Sequence, residues 1–355
     1  MVETLKDFMP KMGTGPRSSE DLTYSEARDA MQFLLDEDVD PTSFGAFTVA
    51  ERWKGQTPDE LAGFLDVLRE DALVPFERDP VDPDNLLDVS GRFDGKVDSV
   101  NTEFAGSLLA VSVGARIVTH TGRNVPTQEG MTFLDVLEVI GWEAEPSPQQ
   151  SLEALETAGF TYSKPAVYAP ELDGLRNLRR SLGVRCFLNT IESMMNPLGA
   201  RRHVGSFYHL SFATRVCNTF ERCESQSPTN ILMIQGIEGQ TELRPGDCLM
   251  AEWKNGELIE HDLHTSDLNL DFTREDLETI GADPDDSAEL LKDLIQGESV
   301  PEPYRESVLL NAGCRLYAAD EVDSFEGGIR TAQQALDDGK LQKTWSNLED
   351  VFRNE

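Results

Sequence analysis

A chain of 355 residues, 39% of them hydrophobic, can bury one large α/β domain with a smaller companion, or two domains of ordinary size. Its 65 Asp and Glu against 31 Lys and Arg leave a net charge of −34, spread along the chain, which argues against nucleic acid as a partner and offers no broad basic stripe. No apolar run approaches the roughly 18–20 residues of a membrane span, and Met1 to Pro16 lacks the basic-then-apolar order of a secretion signal, so a cytoplasmic protein is expected. Dispersed acid with few lysines suits a cytoplasm of very high salt, where screening confines self-repulsion to roughly 3 Å. The five cysteines form no CxxC pair and are expected as buried free thiols, not a disulfide framework or zinc site.

In chain order, Thr23-Tyr24-Ser25-Glu26 is a capping box that opens a helix with Ala27, Ala30, Met31, Leu34 and Leu35 on one face. Asp40-Pro41 starts a second helix, with Phe44, Phe47 and Val49 apolar, and Thr57-Pro58-Asp59-Glu60 starts a third. A Pro- and Asp-rich connector from Pro75 to Asp84 follows. The pattern then changes to strand, loop, helix and strand: 86–90, a Gly91–Gly95 loop, 107–113 and 116–120. Ser147-Pro148-Gln149-Gln150 caps a further helix. Ile231–Ile234 reads as a buried strand, while 248–253 and 256–259 read as a hairpin. His261 and His264 read as an acidic loop, and all four tryptophans as core or hairpin packing. Helices are expected at 287–294, 304–319 and 325–338, the last ending at Gly339.

Several pieces, in order along nearly the whole chain, resemble the anthranilate phosphoribosyltransferase family (glycosyltransferase family 3). They include Leu22–Met31, Gly45-Ala46-Phe47, Lys54–Gly63, Leu182–Arg185 with Asn189, Asn196-Pro197, Ala282-Asp283-Pro284, Val308–Ala312 and Ala335–Lys340. The resemblance implies an α/β protein in which a small N-terminal helical domain joins a larger α/β domain with a mainly parallel sheet. It implies boundaries of 1–80 completed by 165–200 for the helical part, and 85–164 with 201–355 for the rest. It further implies transfer of ribose 5-phosphate from phosphoribosyl pyrophosphate, or another phosphorylated small molecule, to an anionic aromatic acceptor, with Mg2+, and a homodimer formed through the helical domain. Pyrimidine nucleoside phosphorylases share the fold and supply one alternative. A non-catalytic paralogue that holds nucleotide or nucleic acid is another.

Such a donor needs backbone N–H groups at a helix start, cationic side chains and a divalent metal. The resemblance places the phosphate loop on Gly91, Arg92, Phe93, Asp94 and Gly95, and the following helix start on Asn101, Thr102, Glu103 and Phe104. Phe93 puts a ring where the family has bare backbone, and Glu103 a charge where it has a hydroxyl, so Arg92 and Lys96 are candidate phosphate clamps. The next motif keeps His120 and Arg123. The family's magnesium pair falls on Thr241-Glu242, leaving Glu242 as the candidate metal ligand. These departures, with Gly236-Ile237-Glu238-Gly239, resemble a branch of the family that has lost the glycine loop.

One signal is independent of the resemblance. Arg176, Arg179, Arg180, Arg185, Arg201 and Arg202 crowd between Gly174 and Arg202, with Glu192 the only acid, in a chain that is otherwise strongly acidic. Such a cluster suits a phosphate or carboxylate, or pairs with the acidic surface of the same molecule. The resemblance gives Arg179 the acceptor's carboxylate. His120, ending a predicted parallel strand, is its companion candidate for catalysis. No covalent nucleophile is expected, because the reaction needs charge stabilisation more than an attacking side chain.

Overall fold

The computed structural model describes residues 4–15, 17–72, 81–91, 93–123, 125, 127–143 and 145–353. After short helical turns at Leu5–Phe8 and Met9–Met12 come three longer helices: α1 (Tyr24–Leu34), α2 (Pro41–Lys54) and α3 (Pro58–Ala72). Their starts follow from local chemistry. Thr23 and Glu26 cap each other's backbone N–H groups, Asp40 accepts from the Ser43 N–H, and Thr57 and Glu60 repeat the reciprocal cap at 3.3 and 2.8 Å. Phe47 of α2 meets Phe8, Phe64 and Phe187 edge-on. Phe187 opens α8 (Phe187–Glu192), which follows α7 (Arg176–Leu182), so the arginine-rich segment shares a core with the N-terminal helices.

The remainder is built on one seven-stranded sheet in the order β3-β2-β1-β4-β5-β6-β7. The strands are β1 (Leu87–Ser90), β2 (Ile117–His120), β3 (Phe160–Ser163), β4 (Arg202–Phe207), β5 (Asn230–Gln235), β6 (Asp247–Lys254) and β7 (Glu257–His264). The first five are parallel, and β6 and β7 add antiparallel edges. Alternate residues enter two cores, because side chains alternate across a strand. Leu87, Val89, Ile117 and Leu232 pack under α4 (Glu103–Val111) and α12 (Glu302–Ala318), whereas Val118, Ile231 and Met233 face the helical unit. Helices α5 (Phe133–Ile140) and α6 (Pro148–Ala158) connect β2 to β3, and α9 (Leu210–Arg222) connects β4 to β5. Beyond β7 come α10 (Arg274–Ile280), α11 (Pro284–Gln296), α13 (Phe325–Asp337) and α14 (Lys340–Phe352).

The structure corrects three expectations. His261 and His264 belong to the edge strand β7, where His261 Nε2 bonds Glu252 at 2.8 Å. That strand mixes acidic, apolar and histidine residues on both faces and is largely exposed, so it lacks the alternation that marks a strand. Trp53 is 74% exposed. Helix α2 instead turns Phe44, Phe47, Thr48 and Glu51 inward, so a carboxylate is buried where an indole was expected. The Val49 side chain is also exposed. Trp142 and Trp345 do stack in the core, with ring centroids 4.6 Å apart. The five cysteines are free thiols. Among the described residues, no helix is long and apolar enough to cross a membrane. The connector from Pro75 lies outside the described residues as far as Pro80.

Candidate active site at the carboxyl edge of the sheet

Strands β1, β2 and β3 run outward in one direction and β4 and β5 in the other, so the order reverses between β1 and β4. Open α/β sheets form crevices at such a reversal, outside the carboxyl ends of the strands. The candidate segments all leave the sheet at that edge: Gly91–Asn101 after β1, Thr121–Arg123 after β2, the arginine-rich segment after β3, and Gly236–Glu242 after β5.

Two glycines shape the loop after β1. Gly95 has φ +68°, and a Cβ there would lie 2.1 Å from the Gly130 carbonyl oxygen. Gly91 donates its N–H to the His120 carbonyl at 3.0 Å, and its missing side chain leaves room for Thr121. Between them the Phe93 ring lies on Gly122, where a Cβ would come within 2.4 Å of the ring. Arg92 lies outside the described residues, as do Asn124 and Pro126 in the next loop. Asp94 pairs with Arg185, and Glu129 with Arg180 at 2.7 Å, tying both loops to the helical unit.

Past Gly95 the chain enters a buried polar corner. The Lys96 ammonium donates to the Val100 carbonyl at 2.5 Å and to Glu242. The other oxygen of Glu242 accepts the Thr102 and Glu103 N–H groups at 2.6 and 2.7 Å, so it caps α4 in place of a local side chain. Glu238, at φ +50°, accepts N–H groups from Val97 and Ser99 at 2.7 and 3.1 Å, and the Ser99 hydroxyl at 2.8 Å. Glu103 accepts the Thr241 hydroxyl at 2.8 Å, and its carboxyl is pushed up by burial. Arg315, fully buried, donates to Ser107 at 2.8 Å and to the Thr241 carbonyl at 3.0 Å. Asn101 caps locally through Phe104, and its N–H donates to Ser287 at 3.3 Å. The N–H groups of Thr102 and Glu103 at this helix start are therefore bonded to a carboxylate of the chain itself, and those of Gly91 and Asn101 to the His120 carbonyl and the Ser287 hydroxyl.

His120 sits in a second buried network. Asp88 of β1 binds His120 Nδ1 at 2.8 Å through one oxygen and His203 Nδ1 at 2.7 Å through the other. Burial raises the Asp88 carboxyl, but the two imidazoles outweigh it and hold it down to about 2. His120 Nε2 lies 3.1 Å from the Glu192 carbonyl. Both of its ring nitrogens thus face oxygen atoms of the chain. The Glu192 side chain receives both terminal nitrogens of Arg179. Burial opposes the guanidinium charge, yet that carboxylate outweighs it and raises Arg179 above its ordinary value. In register across β1, β2 and β3 stand Ser90, His120 and Ser163. The Ser90 and Ser163 hydroxyls, the Tyr168 hydroxyl above His120 and Arg179 Nε are buried polar atoms without a partner.

A small pocket joins the two units, lined by Phe93, Gly122, Arg123, Arg176, Arg179 and Glu192 among others. The pocket thus brings Arg123 and Arg179 together, while His120 is buried behind Glu192 and Gly91 is not part of the lining. The structure gathers Gly95, Lys96, Asn101, Thr102 and Glu242 in the adjoining polar corner. Arg123 pairs with Glu138 at 2.6 Å, and every arginine of the 176–202 cluster has an acidic partner within the chain. Asp88, Arg315 and the anchoring role of Glu238 escape a reading of the sequence. Their signals were a carboxylate inside an apolar strand run and a lone cation in the apolar run 308–316.

The architecture carries the same arrangement as a known group. A model of the glycosyl transferase family's helical bundle domain matches residues 6–72, and one of its a/b domain matches residues 85–342. The chain belongs to the glycosyl transferase family. Within that family of transferase enzymes, it is 30% identical to anthranilate phosphoribosyltransferase of Haloferax volcanii over 339 residues, 94% of this chain and 96% of the relative. The crystal structure of the enzyme from Thermus thermophilus superposes with a TM-score of 0.79 at 27% identity, covering 99% of this chain and 98% of that one. The Saccharomyces cerevisiae enzyme, in complex with PRPP and Mg, shares the fold at 15% identity, with a TM-score of 0.80 over 98% and 97% of the two chains.

Proposed function

We propose that this family member transfers a pentosyl group from phosphoribosyl pyrophosphate, or a related phosphorylated sugar, to an anionic aromatic acceptor. The observation that carries this reading is the crevice in which Phe93, Arg123, Arg176 and Arg179 converge beside His120. Phe93, 4% exposed, packs its ring on Gly122 as part of the pocket wall. Arg176, whose side chain is 32% exposed, offers the acceptor's carboxylate a guanidinium, with the Arg179–Glu192 pair fixed behind it. His120 fixes the wall through Asp88 and Glu192. The unpartnered hydroxyls of Ser90, Ser163 and Tyr168 are buried behind this pocket and are suited to ordered water.

The donor's anomeric carbon becomes cation-like as diphosphate leaves, so the site acts by positioning and charge, without a protein nucleophile. In this reading Mg2+ enters as the counter-ion of the diphosphate, as part of the substrate. The exposed Val49 and Trp53 of α2 face a second copy of the chain, in a high-salt cytoplasm. Calorimetric titration with phosphoribosyl pyrophosphate and Mg2+ in molar KCl tests the donor half, and heat at millimolar ligand is expected. Silence there argues for the alternative of a paralogue that holds nucleotide without turnover. Arg176→Ala is expected to weaken anthranilate binding about tenfold, the loss of one charge-assisted hydrogen-bonding group.

A further inference from the structure

The family likeness offers magnesium one acidic side chain, Glu242. Mg2+ demands about six oxygens in a near-octahedral shell. Glu242 has none to give: one oxygen accepts two helix N–H groups and the other accepts the Lys96 ammonium, in a pocket where Glu242 is fully buried and Lys96 is 1% exposed. Position 241 is threonine, with its hydroxyl bonded to Glu103 and its carbonyl to Arg315. Glu238 is committed to the 97–99 loop. Among the described residues, no three His, Cys, Asp or Glu side chains are grouped so as to hold a metal. The residues present do not fit a protein-held divalent ion.

We propose that Lys96 is the resident cation of this corner, replacing a protein-bound metal. Its backbone is held in place on both sides. The Gly95 turn precedes it, and it bridges Met131 through hydrogen bonds of 2.8 and 2.7 Å. Its ammonium neutralises the carboxylate that caps α4, and Arg315 adds positive charge near Glu103 without bonding it. Glu242 thereby holds the helix start, and Glu238 the loop, with no ion from solution. The protein alone therefore binds no divalent metal at this corner, and any Mg2+ in the cleft arrives on a diphosphate. This last clause rests on the transferase reading; the assignment to Lys96 does not.

The test uses Mn2+ as probe, with the loss of its free-ion electron paramagnetic resonance signal and the melting temperature as readouts, in molar KCl. The wild type is expected to leave Mn2+ free and to show no melting shift. Lys96→Met, which keeps the volume and unmasks Glu242, is expected to bind one Mn2+ and to melt higher with the metal than without it. Lys96→Met combined with Glu242→Gln is expected to lose that response. Saturable binding of one Mn2+ by the wild type, abolished by Glu242→Gln, overturns the proposal. So does a folded Lys96→Met variant indifferent to the metal. If Lys96→Met does not fold, the wild-type arm still decides. Adding phosphoribosyl pyrophosphate separates the two readings. A wild type that ignores both Mn2+ and donor defeats the transferase reading and leaves Lys96 as the resident cation.

Discussion

Glu51 is the least comfortable residue in the molecule. It is fully buried in α2, and neither carboxylate oxygen has a hydrogen-bond partner; the nearest cation, Lys54, stands 3.6 Å away and is shared with Glu60 at 2.7 Å. Burial first, and Glu60 second, push its carboxyl up to about 8. Folding therefore favours the protonated form. Its contribution to stability is intact below the ordinary value near 4.5 and falls away as pH rises towards 8, by up to about 1.4 kcal/mol per pH unit. Glu51→Gln is expected to flatten that decline, measured as the difference in melting temperature between variant and wild type across pH at fixed salt. Asp88 works in the opposite sense. Held at about 2 by His120 and His203, it stabilises the fold above its ordinary value near 4, and that support is lost as pH falls towards 2. Asp88→Asn is expected to cost about 3–5 kcal/mol in chemical denaturation, because the carboxylate charge is lost and one of the two imidazoles faces an amide NH2 in place of an acceptor.

At the scale of elements, the informative feature is a loop and a helix start that are both anchored from one turn. Glu238 holds the 97–99 backbone and Glu242 holds the start of α4, from opposite ends of the 238–242 segment after β5. Glu238→Ala is expected to free the amides of Val97 and Ser99, raising their hydrogen exchange at least tenfold while the core strands exchange as before. Uniform acceleration through the sheet would show that Glu238 supports the whole fold and not this loop. Helix starts elsewhere are local matters. Removing the Thr57 cap by Thr57→Ala should cost about 1 kcal/mol and leave the cleft untouched.

For the whole molecule, the net charge of −34 sets the conditions of stability. Few exposed lysines offset it, and many ion pairs at the surface are half-exposed ones that contribute little individually. Lowering KCl from molar to about 0.1 M lengthens the screening distance from roughly 3 to roughly 10 Å. Melting temperature is expected to fall by several degrees over that range, and a salt-independent melting curve would contradict the reading of a high-salt protein. The exposed Val49 and Trp53 also belong to this scale. Trp53→Glu is expected to leave a monomer in sedimentation if α2 forms the contact between copies.

Caps and strand runs marked the N-terminal helices, β1, β2, β5 and the β6–β7 hairpin, because each is written within a few neighbouring residues, whereas β3, β4 and α9 were not legible that way. Thr23-Glu26 and Ser147-Gln150 cap as their spacing predicts. The sequence also picked out Lys96, Asn101, His120, Arg179 and Glu242 individually. It could not show their partners. Lys96 meets Glu242 across 146 positions, Glu103 and Arg315 share the buried corner across a still longer span, and His120 reaches Asp88 only because β1 and β2 lie side by side. Tertiary packing alone decided that charges legible as ligand-binding groups spend their hydrogen bonds on one another, since a buried ion without a partner would cost more than the fold can bear.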